Sequence, residues 1–169
     1  MRQLAPLLAG ALLAAARAGA ELPDDLEVGA YVEVEGALSG DGILAEEVEV
    51  SAVADSEARV RGRLDAVDAR ARSLSVGGVA LLLDPGVDPT DAAGRALELS
   101  ALEPGCSVDA RGVYRDGALW LRVLSVDAGE GPHKLKLAGT IDVVDPDADA
   151  FRLLGVGVRL TPETWIELD

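Results

Sequence analysis

The sequence predicts an all-β protein of two small five-stranded barrels, one formed by the middle of the chain and one by its two ends. Three observations carry this. Short runs in which apolar and charged residues alternate, separated by glycines and turn acids, mark strands and hairpins. Only five of the 169 residues are aromatic (2 Trp, 2 Tyr, 1 Phe), so any core is built from Val, Leu and Ala. The spacing of glycines and apolar residues also recurs, complete in the centre and by halves at each end.

Residues 1–20 are set apart from the fold. Arg2 supplies a positive start, Leu4 to Ala16 an apolar run, and Ala18-Gly19-Ala20 a small-residue cleavage site before Glu21, which together read as a signal peptide. The apolar run is about thirteen residues where a membrane-spanning helix needs roughly 20. Cleavage would remove Arg2 and Arg17 and leave 13 basic against 30 acidic residues, a net charge of −17. The expected location is periplasmic or secreted, with the chain not membrane-embedded after cleavage. So acidic a protein is not expected to bind nucleic acid. The single cysteine, Cys106, cannot form an internal disulfide. It is expected as a small buried residue at a strand start, with pairing to another chain as the alternative.

Residues 21–56 form an N-terminal hairpin. Val32 and Val34 alternate with Glu33 and Glu35, Ser39-Gly40-Asp41-Gly42 turns, and a second strand runs through Ile43, Leu44, Val48 and Val50. The same hairpin recurs 75 to 76 residues later, with Leu102, Gly105, Val108 and Gly112 standing in for Leu26, Gly29, Val32 and Gly36. Its turn, Arg115-Asp116-Gly117, reads as one residue shorter.

Residues 57–128 are the complete copy. Val60 to Asp68, Ser73 to Val76 and Val79 to Leu83 make a three-strand meander with a tight turn at Gly77-Gly78. The Ala-Leu-Glu content of Ala92 to Leu99 favours a short helix, and the second hairpin follows. Three strands, a helix and two strands is the order of the OB-fold, a five-stranded Greek-key barrel. After a linker at 129–134 the meander returns in residues 135–169 at a constant offset of 77: Gly62 matches Gly139, Asp65 matches Asp142, Gly78 matches Gly155 and Pro85 matches Pro162.

Projected on the central copy, Asp169 falls at Ala92 and Glu21 at Leu97, so the two half-copies tile one whole. Unpaired strands would expose long edges, which favours closing the halves on each other. The gap of about four residues puts Asp169 and Glu21 within about 17 Å. The competing arrangement exchanges halves between chains, so a monomer and a swapped oligomer are the two expected states.

Arg61-Gly62-Arg63-Leu64-Asp65-Ala66-Val67-Asp68, then Leu74 to Val79, then Leu102-Glu103-Pro104-Gly105 through Gly112 resembles the bacterial domain of unknown function 5666. The resemblance implies an exported protein with repeated small OB-like barrels and carries no catalytic signature.

Candidate ligand-binding residues are Arg61, Arg63, Arg111, Tyr114, Trp120 and Arg122, since OB-folds bind across the strand faces where these residues fall. Cross-strand ion pairing with nearby Asp and Glu is the competing explanation of the arginines. Asp145, Asp147 and Asp149 alternate as at the start of a calcium loop, but Ala150 and Val156 stand where that loop needs glycine and glutamate, so a solvated turn competes with weak cation binding. His133 is expected as a solvated linker residue, and Phe151 and Trp165 as packing residues. No residue pattern nominates a catalytic group or a cofactor, and the expected partner is an envelope protein or glycan.

Overall fold

The computed structural model describes residues 22–52 and 57–168. Within them lie β1 (Tyr31–Ser39), β2 (Gly42–Ser51), β3 (Ala58–Asp68), β4 (Ser73–Val76), β5 (Val79–Leu83), β6 (Cys106–Arg115), β7 (Ala118–Glu130), β8 (Lys134–Asp145), β9 (Ala150–Leu153), β10 (Val156–Arg159) and β11 (Trp165–Leu168). Two short 3-10 turns, Leu99–Ala101 and Pro146–Ala148, are the only helical elements among the described residues. No helix among them is long and apolar enough to cross a membrane. The protein is all-β.

The central strands close a five-stranded barrel. β3 pairs β4, β4 pairs β5, β5 runs parallel to β7, β7 pairs β6, and β6 returns to β3. Closure leaves no free edge in the ring. Alternation along β3 turns Val60, Gly62 and Leu64 inward and leaves Arg59, Arg61 and Arg63 outside. Cys106 opens β6 and is buried. The buried residues, nearly all aliphatic, form one cluster from Leu26 to Leu160.

The remaining strands pair in registers that repeat those of the barrel. β1 pairs β2 and β8, β8 pairs β9, β9 pairs β10, and β10 runs parallel to β2. The parallel partners Leu81 and Leu119 have counterparts in Val158 and Ile43, displaced by 77 and 76 residues. Gly105 donates its N–H to the Leu64 carbonyl at 2.8 Å, and Gly29 donates to Ile141 at 3.0 Å. Leu83 donates to Arg72 at 3.0 Å, and Leu160 to Asp149 at 2.8 Å. Register shifts fall at Leu64/Ala66 and at Ile141/Val143, then at Arg111/Gly112 and at Glu35/Gly36. β11 runs parallel to β2 with Glu167 opposite Glu49, where the central copy has the bridge from Thr90 to Ser125.

The two sets of strands meet where β3 pairs antiparallel with β8, and there Val60 faces Leu137. These residues are equivalent by the offset of 77. Antiparallel pairing of equivalent positions is what a local two-fold axis produces, as at an isologous dimer interface. Both side chains are fully buried.

Four expectations change. Both hairpins turn on two residues, since Ser39 pairs Gly42 and Arg115 pairs Ala118, so the hairpin offset stays at 76 throughout. Residues 92–98 are not helical. The Asp91 carboxylate accepts from the N–H groups of Ala93 and Arg95, both at 2.9 Å, and from the Arg95 guanidinium at 2.8 Å, while Gly94 takes a φ of 79°. An acidic side chain satisfying local N–H groups in this way competes with the helix ladder. The linker shrinks to Gly131, Pro132 and His133, because β7 extends to Glu130 and β8 begins at Lys134. Phe151 is buried as expected, but Trp165 on β11 is 46% exposed. The residues 1–20, and the predicted approach of Asp169 to Glu21, lie outside the described residues.

Candidate functional site

Strand parity decides where each candidate side chain goes. Arg59, Arg61 and Arg63 alternate with inward residues on β3, and Asp109 and Arg111 occupy the outward positions of the paired strand β6. The Arg59 guanidinium engages the Asp109 carboxylate with both Nε, at 2.9 Å, and Nη2. Such a two-pronged ion pair fixes geometry as well as charge. Burial works against the Asp109 carboxylate, yet the Arg59 hydrogen bond and the charges of Arg59, Arg111 and Arg61 outweigh it and hold the group below the ordinary aspartate range. Arg111 lies 3.9 Å from the same carboxylate. Arg59 and Arg111 are thus held in an ion-paired cluster with Asp109, while Arg61 is exposed beside it.

Arg122 owes its exposure to the β-bulge. Arg111 pairs Val123 and Gly112 pairs Leu121, so Arg122 is the extra residue, and two consecutive side chains point outward. The bulge depends on Gly112, where a Cβ would strike the Trp120 carbonyl; Gly36 stands in the same relation to the Leu44 carbonyl.

The two-residue turn, with Arg115 opposite Ala118, sets Tyr114 and Trp120 on opposite faces. Trp120 sits outward between the buried Leu119 and Leu121, with Val113 opposite, whereas Tyr114 pairs Leu119 on the core-facing side. They do not form one groove. Arg115 lies over the Trp120 ring, 4.7 Å from its centroid, so one stacking face is already covered by a cation–π contact. The indole N–H is buried and has no hydrogen-bond partner among the described residues.

Asp145, Asp147 and Asp149 surround a single 3-10 turn. Asp145 accepts from the Ala148 N–H at 3.3 Å, and Asp149 adopts a φ of 49° to end the turn. Among the described residues, no group of three or more Asp, Glu, His or Cys is placed to hold a metal ion.

Arg63 and Tyr114 each enter a cleft, and the two clefts are related by the repeat. The first, about 120 Å³, is lined by Leu38, Arg63, Asp65, Gly77, His133, Lys134 and their neighbours. The second, about 90 Å³, is lined by Tyr31, Glu57, Tyr114, Thr140, Asp142, Leu154 and theirs. Applying the offsets of 76 and 77 turns Leu38 into Tyr114, Lys134 into Glu57, Arg63 into Thr140, Asp65 into Asp142 and Gly77 into Leu154.

In the first cleft Arg63 Nη2 donates to Glu130 and to the Gly131 carbonyl, both at 3.0 Å, and lies 3.4 Å from His133 Nδ1. His133 is an exposed linker residue, as expected, and its ring also lines this cleft. Asp65 accepts the Gly77 N–H at 2.6 Å. In the second cleft Tyr31 donates to the Glu57 carbonyl at 2.9 Å. Partial burial, reinforced by Asp142, raises the Tyr114 phenol above its ordinary pKa; Asp142 is exposed by surface area, yet desolvation at the cleft wall raises its carboxyl against the pull of Arg152. Sequence reasoning missed Tyr31, Thr140 and Asp142. The signal that finds them is the repeat offset applied to cleft residues instead of to glycines.

Comparison with known families meets this geometry at the N-terminal hairpin. Residues 16–49 match the model of Domain of unknown function (DUF5666). The resemblance read from the central copy thus holds at the first hairpin. In the described part of that DUF5666 segment lie β1, the Gly36 bulge and most of β2. No curated protein and no solved structure matches the chain.

Proposed function

We propose that the protein is an exported, non-catalytic module of two five-stranded OB-like barrels, the second closed by the chain's two ends, acting as a binding or structural scaffold in the bacterial envelope. The observation that supports the two-barrel reading is the matched register: β8–β9, β9–β10, β10–β2, β2–β1 and β1–β8 repeat the pairings of the central ring, down to the parallel pair and both bulges. Export rests on the N-terminal charge, apolar run and Ala18-Gly19-Ala20. The scaffold role rests on side chains spent on packing, turns and ion pairs; its expected partner is an envelope protein, and a glycan partner belongs to the alternative reading as a small-ligand binding protein.

The test expresses the full chain in a bacterial host, fractionates the cells and measures the mass of the recovered protein. Recovery outside the cytoplasm as a monomer beginning at Glu21 is the expected result. A cytoplasmic protein that keeps its first twenty residues contradicts export. Calorimetry with Ca²⁺ and a glycan panel is expected to give no heat, and saturable binding of either would replace the scaffold by a small-ligand binding protein.

A further inference from the structure

The two repeat-related clefts share a fold and differ in chemistry. On the Arg63 side the apolar wall is Leu38 and the charged residues are Arg63, Lys134 and Asp65. Asp65 is engaged by the Gly77 N–H, and Lys134 is held by Glu46 at 2.6 Å and Glu35 at 3.3 Å. On the Tyr114 side the wall is aromatic, Thr140 replaces the arginine, and Glu57 replaces the lysine. Asp142 occupies the place of Asp65 at the exposed rim of the cleft, and among the described residues it has no hydrogen-bond or ion-pair partner. Arg152 influences its charge from beyond ion-pair distance. Gly155 allows the arrangement, because a Cβ there would lie 2.7 Å from the Tyr114 hydroxyl.

A carboxylate without a partner, beside two phenol rings and a threonine hydroxyl, suits a ligand that brings both positive charge and N–H donors. Tyrosine faces attract cations, and a carboxylate pairs with the charge of an ammonium and accepts one of its three diverging N–H bonds, leaving the others for neighbouring oxygens. The acidic surface draws such ligands and repels anions. An arginine in this cleft would supply the charge internally; the twin cleft has one, and this cleft has Thr140.

We propose that the cleft of Tyr31, Tyr114, Thr140 and Asp142 is a binding site for a primary ammonium group, carried by a free amine or by a peptide lysine. Asp142 pairs with the charge, Tyr114 and Tyr31 flank it, and Thr140 leaves the space the ligand occupies. The cleft has this geometry whether or not the chain is exported.

The experiment titrates the intact protein with n-butylammonium and with an acetylated, amidated Gly-Lys-Gly peptide, using n-butanol as the neutral match. Amide chemical shifts report both the affinity and the location. The expected result is saturable binding of at least one cation, with shifts centred on Tyr31, Tyr114 and Thr140 to Asp142, and no effect of butanol. The tighter of the two cations identifies the source of the ammonium. Asp142→Asn is expected to weaken binding at least tenfold, Thr140→Arg to abolish it, and Asp65→Asn to leave it within twofold. Asp142 makes no hydrogen bond among the described residues and arginine is native at the twin of Thr140, so both variants are expected to fold, which their melting curves check. Absence of saturable binding, or affinity retained in Asp142→Asn, overturns the proposal. Equal losses in Asp142→Asn and Asp65→Asn do so as well, because they indicate general charge attraction.

Discussion

The outward faces of the two equivalent hairpins differ in chemistry, one mixed and the other wholly acidic. On β6 and β7 the outer positions hold Asp109, Arg111, Val123 and Ser125, and on β1 and β2 the same positions hold Glu33, Glu35, Glu47 and Glu49. Inward, Val108, Leu119, Leu124 and Val126 answer to Val32, Ile43, Val48 and Val50, all buried. The difference teaches that the fold is held by the inward aliphatics and the glycines, while the outer face is free to change charge. The exchange extends to ion pairs. Lys136 joins Glu33 where Arg59 joins Asp109, and Lys134 lies between Glu35 and Glu46 where the other copy has Glu57, Arg111 and Arg122.

The largest effect tests the axis between the copies. Leu137→Ala removes a fully buried side chain facing Val60 and is expected to cost about 2–5 kcal/mol, in a single unfolding transition if the two copies share one core. Two transitions, with only one displaced, would separate the copies energetically. Next come the bulge glycines. Gly112→Ala and Gly36→Ala each drive a methyl into a neighbouring backbone carbonyl, and each is expected to cost about 1–3 kcal/mol or more. Similar losses, read from denaturant midpoints, fit equivalence; a large loss at Gly112 and none at Gly36 breaks it.

Smaller effects come from the outer face. A double-mutant cycle on Arg59 and Asp109 is expected to give about 1 kcal/mol, since the pair is two-pronged but part-exposed, and the single-pronged Lys136 and Glu33 pair less. The pH dependence has a defined sign. Because Asp109 is held below its ordinary range in the fold, its contribution is present above the unfolded aspartate pKa. It fades as pH falls through the lowered folded value. Asp109→Asn should therefore lower stability at neutral pH and flatten the acid limb of the stability curve. Smallest is Glu47→Lys. It replaces a glutamate that faces Glu35 directly and is expected to stabilise by a few tenths of a kcal/mol, with the gain shrinking in salt.

The strands were legible because an aliphatic core on a pleated sheet leaves a period of two, as in Val32 and Val34. The repeat was legible because glycines at tight turns and bulges cannot move without cost. The arginine stripe was read on the correct face of β3 for the same reason. Three kinds of feature were not legible. Residues 92–98 have helical composition, but the local hydrogen bonds of Asp91 take the N–H groups that a helix needs. Tyr114 and Trp120 share a face only if Arg115-Asp116-Gly117 is a three-residue turn, and the two-residue turn that forms puts them on opposite faces. The clefts are assembled from β1, β3, β6 and β8, so their residues are distant in sequence and join only through the Val60 and Leu137 axis.

The central claim is that the chain's own ends close on each other as the central strands do. The direct measurement is isotope-filtered NMR on a refolded mixture of differently labelled chains, reading the parallel contacts of Gly157 with Gly42 and Val158 with Ile43. The account predicts these contacts within single chains, in a monomer, unchanged over a tenfold range of concentration. Contacts found only between differently labelled chains, or not found at all, would contradict it.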